Sequence, residues 1–217
     1  MYHSICEHIG KEKHNKWRVK PKDFDKQMKW FYDNNWNSFT ISELTKLDNI
    51  PEKSFVITFD DGFEDNYINA FPILQKFNFK ATIYLVPNQK TRSEEEKNTS
   101  VLSNLLNNEQ ILQMQNTGLI EFGSHTLSHV NLSTINDEQL LIELKKSKEE
   151  IEKITRKECE AFAYPYGKFD DKIIQAVEEI GYKNATVVKR GLFEKNDNPF
   201  IIKRIGILGT ESFVDFL

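Results

Sequence analysis

Phe55-Val56-Ile57-Thr58-Phe59-Asp60-Asp61-Gly62 is the stretch on which the reading of this chain turns. Its first five residues are aromatic or β-branched without a break, which predicts a strand. Being apolar on both faces, the run suits the interior of a parallel sheet. Two adjacent carboxylates then arrive at the strand's end. In a buried setting they repel each other and resist desolvation, so a compensating charge is expected nearby, and a metal cation is the simplest one. Gly62 permits a turn that brings both side chains toward one site, although strand neighbours normally face opposite ways. The plainer alternative is an Asp-Asp-Gly turn closing a strand.

Outward from this stretch, strands and helices alternate. An N-terminal segment, Met1 to Ile5, is followed by a polar loop from Glu7 to Lys16. Apolar residues at 24, 28, 31 and 32 predict a helix over 22–36. A short strand is expected at 39–41, then a brief helix capped by Ser42 and running through Leu47. Residues 66–77 carry a helical stripe, and 80–86 a strand. Residues 87–98 are polar and read as a surface excursion. Helix 108–116, strand 119–122, the long amphipathic helix 136–155, strand 161–164, helix 170–180, strands 184–188 and 200–205 and a closing turn at 212–217 complete the order. The alternation predicts a parallel α/β fold in one domain, residues 1–217, either a barrel or an open sheet. Three polar clusters fall at predicted strand C-termini, where barrels of this kind gather their chemistry: Asp60-Asp61, His125 to His129 and Tyr164 to Gly167.

Composition narrows the function. Over 217 residues, 29 basic and 33 acidic side chains leave a net charge of −4, which gives no nucleic-acid footprint. Cys6 and Cys159 do not form a disulfide framework or a metal-ligand pattern. No apolar run approaches the roughly 18 residues of a membrane span, and residues 1–20 lack the apolar core of a signal peptide. The expectation as written is a cytoplasmic protein of undetermined oligomeric state.

The His125/His129 spacing places both rings on one face if the segment is a helical turn. Joined by a strand-end carboxylate, the pair makes an Asp-His-His set with open coordination positions, the catalytic style for zinc-like metals. One aspartate would ligate and the other would accept a proton from water, while a histidine would protonate a leaving nitrogen.

Thr58-Phe-Asp-Asp-Gly62, His125-Thr-Leu-Ser-His129 and Tyr164-Pro-Tyr-Gly167, in this order and spacing, resemble the first three signature motifs of the polysaccharide deacetylases, the NodB-homology family also called carbohydrate esterase family 4. The resemblance runs from about residue 54 to 207. It implies a distorted (β/α)7 barrel and a hydrolase that removes acetyl groups from N-acetylglucosamine-type sugars. It further implies that Asp61, His125 and His129 bind a divalent metal (zinc first; nickel, cobalt, iron or manganese as alternatives) and that Asp60 is the general base. The backbone N–H of Tyr166 would stabilise the oxyanion, and Tyr164, Pro165 and Tyr166 would line the substrate site.

Two departures matter. Ala163 stands where the family usually has an arginine, and no histidine follows His129 to serve as the usual acid. Tyr2-His-Ser-Ile5 resembles the opening of the circularly permuted poly-N-acetylglucosamine deacetylases, which implies that His3 is the acid; His8 and His14 are weaker rivals. Arg204 is expected to replace the missing arginine and hold Asp60 ionised, the alternative being a solvated rim position. Tyr2, Phe63, Tyr164 and Tyr166 are either sugar platforms or core. The competing functions are hydrolysis of a non-sugar amide, or carbohydrate binding without catalysis.

Overall fold

The computed structural model describes residues 1–89, 91–93 and 102–217. The strands are β1 Ser4–Ile5, β2 Arg18–Val19, β3 Asn37–Phe39, β4 Ser54–Phe59, β5 Ala81–Leu85, β6 Thr91–Ser93, β7 Leu102–Asn104, β8 Ile120–Ser124, β9 Ala161–Ala163 and β10 Asn184–Thr186. The α-helices are α1 Pro21–Asp33, α2 Ile41–Lys46, α3 Phe71–Phe77, α4 Asn108–Asn116, α5 Asp137–Thr155, α6 Asp171–Glu179 and α7 Phe213–Phe216.

The organising stretch forms β4 as expected, with Ile57, Thr58 and Phe59 buried. A parallel sheet runs β10-β9-β8-β5-β4-β3. β3 pairs only with the first half of β4, Asn37 opposite Ser54 and Phe39 opposite Val56. The second half of β4 takes Tyr2 instead: the Tyr2 N–H donates to Thr58 O at 2.8 Å and the Asp60 N–H to Tyr2 O at 3.0 Å. On the far edge Thr186 bridges Ile202 in parallel, and the Ile207 N–H donates to Met1 O at 2.9 Å. These bonds carry the ring from β10 through residues 202–207 to the N-terminal segment and back to β4. The result is a distorted (β/α) barrel in a single domain, two of whose staves are irregular.

The helices cover it by the faces their periodicity assigns. Leu140, Leu144, Ser147 and Ile151 of α5 are buried, as are Phe24 and Met28 of α1 and Ile173 and Val177 of α6. Asn136 caps α5 by accepting from the Gln139 N–H, and Asp170 caps α6 in the same way.

Several local expectations change. α2 is capped by Thr40 rather than Ser42, because Glu43 at the third helical position returns the hydrogen bond and completes a capping box. Ser42 is instead buried inside the helix and accepts from the Asn184 amide at 3.0 Å. The 66–77 helix opens as a π-helical turn, Asn66–Ala70, before α3. Pro72, which lacks an N–H, follows directly on this turn, whose last bond runs from the Phe71 N–H to Asn66 O. Residues 200–205 form no regular strand; a turn over Asn198–Ile201 uses the backbone there, leaving Ile202 as a single bridge. Of the polar excursion, residues 87–89 and 91–93 are described, the latter pairing antiparallel with β7; residues 90 and 94–98 lie outside the described residues. Among the described residues no helix is long and apolar enough to cross a membrane.

Candidate metal centre and its surroundings

The end of β4 solves the problem of two adjacent carboxylates by twisting the chain. Asp61 adopts φ +78° and Gly62 φ +71°, so the alternation of the strand stops at Asp60. Gly62 suits this left-handed turn, and a Cβ there would lie 2.8 Å from Leu85 Cδ2, a side-chain end that would have to shift.

The two carboxylates then meet different partners. Asp60 is buried and gripped by Arg204, whose Nη1 donates to Oδ1 at 2.6 Å and Nη2 to Oδ2 at 2.8 Å. The guanidinium is itself fixed: Nη1 also reaches Thr58 Oγ1 at 3.1 Å, and Nε donates to Val187 O at 3.1 Å. Arg204 is therefore a buried residue and not a rim residue. Burial alone would raise the Asp60 carboxyl, but the Arg204 charge, the His125 charge and the Arg204 hydrogen bonds outweigh it and hold the group well below the usual carboxylate range. Asp61 turns the other way, with Oδ1 3.4 Å from His129 Nε2 and 3.7 Å from His125 Nε2. One donor atom from each of the three residues lies within 4.8 Å of the others.

The histidines reach this point by a route the spacing did not suggest. Residues 125–129 are a loop, not a helical turn, because Thr126 and His129 take φ of +66° and +57°. The loop is braced by the His125 N–H on Leu85 O at 2.8 Å, the His129 N–H on Thr126 Oγ1 at 2.9 Å and the Ser128 N–H on Glu143 Oε2 at 2.9 Å. His125 Nδ1 lies 2.8 Å from Ala163 O. A carbonyl only accepts, so this contact fixes Nδ1 as a protonated nitrogen and makes Nε2 the nitrogen that faces Asp61. Ala163 thus contributes its main-chain oxygen, a partner that a side-chain motif does not reveal. The donor set, one carboxylate oxygen and two imidazole nitrogens converging with one tautomer fixed, fits a divalent cation of the zinc type with coordination positions to spare.

The third cluster closes one side. Tyr166 takes φ +59°, ψ +7° and sets its ring 4.8 Å from that of His129, with about half of its surface exposed. Pro165 is buried. Tyr164 is fully buried with its hydroxyl donating to Phe200 O at 3.2 Å, so its ring presents no platform to a sugar. Tyr2 and Phe63 are also core; the Tyr2 hydroxyl donates to Gln27 at 2.9 Å. Of the four aromatics, Tyr166 alone has an exposed face.

His3 follows the residue that brackets Asp60 in the sheet, and its ring stacks obliquely on Trp17 at 4.6 Å. It is partly accessible, yet desolvation by the atoms packed around it lowers its pKa, against the opposing pull of Asp60 and Asp61. Those charges and that of His125 act on it because it stands at the same end of the barrel. His8 and His14 belong to the neighbouring loop, His8 Nε2 lying 3.0 Å from Arg18 O and His14 Nδ1 3.8 Å from Glu12. A groove of about 690 Å³ opens beside Asp61, bordered by Glu64, Leu85, Gln89, Asn104 and Asn107.

Comparison with known proteins gives the family of the fold. The polysaccharide deacetylase family model matches residues 48–185. A poly-β-1,6-N-acetyl-D-glucosamine N-deacetylase of Staphylococcus aureus is 30% identical over 198 residues, covering 86% of this chain and 67% of that protein. The crystal structure of a Bacillus cereus polysaccharide deacetylase superposes with a TM-score of 0.84 at 32% identity, over 99% of this chain and 66% of that one. A Streptococcus pyogenes deacetylase solved with acetate gives 0.82 at 26% identity, over 96% and 91%. The chain spans about two thirds of the length of the first two. By the family match and by a barrel that superposes over nearly its whole length, this chain belongs to the polysaccharide deacetylase family.

Proposed function

We propose that the protein is a metal-dependent carbohydrate N-deacetylase that hydrolyses the acetamide of N-acetylglucosamine-type sugars in a polymer or oligomer. The observation that carries this reading is the division of labour between Asp60 and Asp61. Adjacent in sequence, one is clamped by Arg204 and the other faces two imidazole nitrogens. The S. aureus relative, named for this activity on poly-N-acetylglucosamine, supports the choice of substrate class.

Asp61, His125 and His129 hold the cation. When bound, the cation supplies a Lewis acid that polarises the acetamide carbonyl and makes water more acidic. Asp60 is ionised at neutral pH and accepts the proton of the attacking water; its pairing with Arg204 fixes its orientation and lowers its basicity. The Tyr166 N–H, on a backbone turned to positive φ, donates to the oxygen that gains charge. His3 in its protonated form, a minor one at neutral pH because burial lowers its pKa, gives its proton to the departing amine, leaving acetate and a free amino sugar. The exposed Tyr166 ring offers a sugar-stacking face, and the amide-lined groove beside Asp61 offers room for neighbouring units of a chain.

The test pairs metal analysis with acetate release from N-acetylglucosamine oligomers for wild type, Asp60→Asn and His3→Ala. Metal in all three, with rapid acetate release by the wild type alone and a slow residual rate left in His3→Ala, is the expected result. A metal-loaded wild type that releases no acetate overturns the substrate assignment, and a wild type that takes up no metal overturns the site.

A further inference from the structure

The proposed acid lies on the least regular stave of the barrel. Among the described residues β1 is two residues long and pairs with the equally short β2, while Tyr2, just before His3, is bonded to β4. Such a strand does not hold a side chain in place by its own ladder. The loop that follows Asp60-Asp61-Gly62 returns to it with side chains.

Three residues make this contact. Asn66 is fully buried, and its Nδ2 donates to His3 O at 2.9 Å and to Asp65 Oδ1 at 2.9 Å. Both partners are acceptors, so the orientation of the amide is fixed by chemistry. Asp65 accepts from the Ile5 N–H at 2.9 Å on Oδ1 and from the Ser4 hydroxyl on Oδ2. Asn69 Nδ2 donates to Ile5 O at 2.7 Å. The backbone of residues 3–5 is thereby held at His3 O, Ile5 N and Ile5 O. Asn66 and Asn69 both lie on the π-helical turn. An ordinary amphipathic helix would put apolar side chains against the barrel here, and single-turn π geometry is often found at functional sites.

We propose that Asn66, supported by Asp65 and Asn69, is a positioning residue that sets the place of the His3 imidazole relative to Asp60 and Asp61. The inference rests on the reading of His3 as the acid. The stretch from Asp60 to Asn69 then does two jobs: it carries the base and one metal ligand, and it fixes the strand that brings the acid. Neither Asn66 nor Asp65 touches substrate in this scheme. Their effect runs through the backbone of residues 3–5, and a displacement of about 1 Å in such a group is enough to reduce turnover by about 10²-fold.

The experiment uses the metal-loaded full chain. Asn66→Ala and Asn69→Ala are assayed for kcat and KM on N-acetylglucosamine oligomers, alone and in a His3→Ala background, with metal content and thermal midpoint recorded. In parallel, NMR of the histidine rings follows the contact between His3 and Trp17. Asn66→Ala is expected to turn over substrate about 10- to 100-fold more slowly than wild type, with KM and metal content unchanged. No further slowing is expected when His3 is already alanine, and the His3–Trp17 contact should weaken. An equal loss in both backgrounds, or an unmoved His3 ring, overturns the proposal. If His3→Ala itself keeps full turnover, the acid assignment fails instead, and the NMR contact still reports whether Asn66 places that ring.

Discussion

Arg204 and Asp60, 144 residues apart in sequence, are joined by two short hydrogen bonds in the interior of the barrel. The pair closes the ring chemically where the sheet closes it only by single bridges. Removing one partner leaves an uncompensated buried charge, so Arg204→Met is expected to destabilise the fold by about 3–5 kcal/mol in urea unfolding. Arg204→Lys keeps the charge but loses the two-pronged fork and should recover only part of this. The pH dependence has a definite sign. Asp60 titrates below its ordinary value of 3.8 in the folded state, so its contribution is complete above about pH 4 and is lost as pH falls toward the folded value. The gap between wild type and Arg204→Met should therefore narrow on acidification below pH 4. A gap independent of pH would mean that Arg204 acts by packing alone.

His3 carries its own dependence, set nearer neutrality. Its folded pKa is lowered from 6.5, so the unfolded chain takes up the proton first as pH falls. Stability from this residue is complete above about pH 6.5 and declines below it, through the window down to the folded value. His3→Phe should flatten the stability profile over that window relative to wild type, in chemical unfolding measured from pH 7.5 to 5. An unchanged slope would show that His3 is equally easy to protonate folded and unfolded.

Gly123 tests the closeness of the staves that carry the site. It has ordinary backbone angles, but a Cβ there would meet Ala161 O at 2.8 Å and the Tyr84 ring at 2.7 Å. The carbonyl belongs to the neighbouring strand and does not yield. Gly123→Ala is expected to lower stability by about 1–3 kcal/mol, the range for overpacking. Since β8 leads directly into His125, cation affinity should fall with it. Full stability in Gly123→Ala would mean that β8 and β9 separate without penalty.

The sequence was most legible where local chemistry and tertiary demand coincide. Residues 54–59 are mostly β-branched or aromatic and are a strand; residues 136–155 carry an apolar stripe and that stripe is the buried face of α5. It was least legible where backbone turns to positive φ. His125 and His129 do converge, but through left-handed residues at 126 and 129, and four-residue spacing does not separate that loop from a helical turn. Main-chain partners are hidden too: Ala163 O, which fixes the His125 tautomer, could be any residue. Asp65, Asn66 and Asn69 sit where a helix start is rich in polar residues anyway, so their inward aim onto residues 3–5 had no signal of its own. Arg204 was found through the absence of an arginine at 163, a reading that needed the family pattern and not the local sequence.

Cation binding separates the two aspartates without reference to turnover. A ligand bound only by the folded state raises stability by RT ln(1 + [L]/Kd), about 2.7 kcal/mol at a hundredfold excess over Kd. Zinc added to the metal-free wild type should therefore raise the thermal midpoint in a concentration-dependent way. Asp61→Asn, His125→Ala and His129→Ala each remove one of three converging donors and should abolish or sharply reduce the shift. Asp60→Asn should keep most of it, because Asp60 spends both oxygens on Arg204 and is not among the three converging donors. Calorimetric titration of the four variants measures this directly. If Asp60→Asn loses the cation as completely as Asp61→Asn does, the division of labour between the adjacent carboxylates is wrong, and with it the assignment of Asp60 as the base.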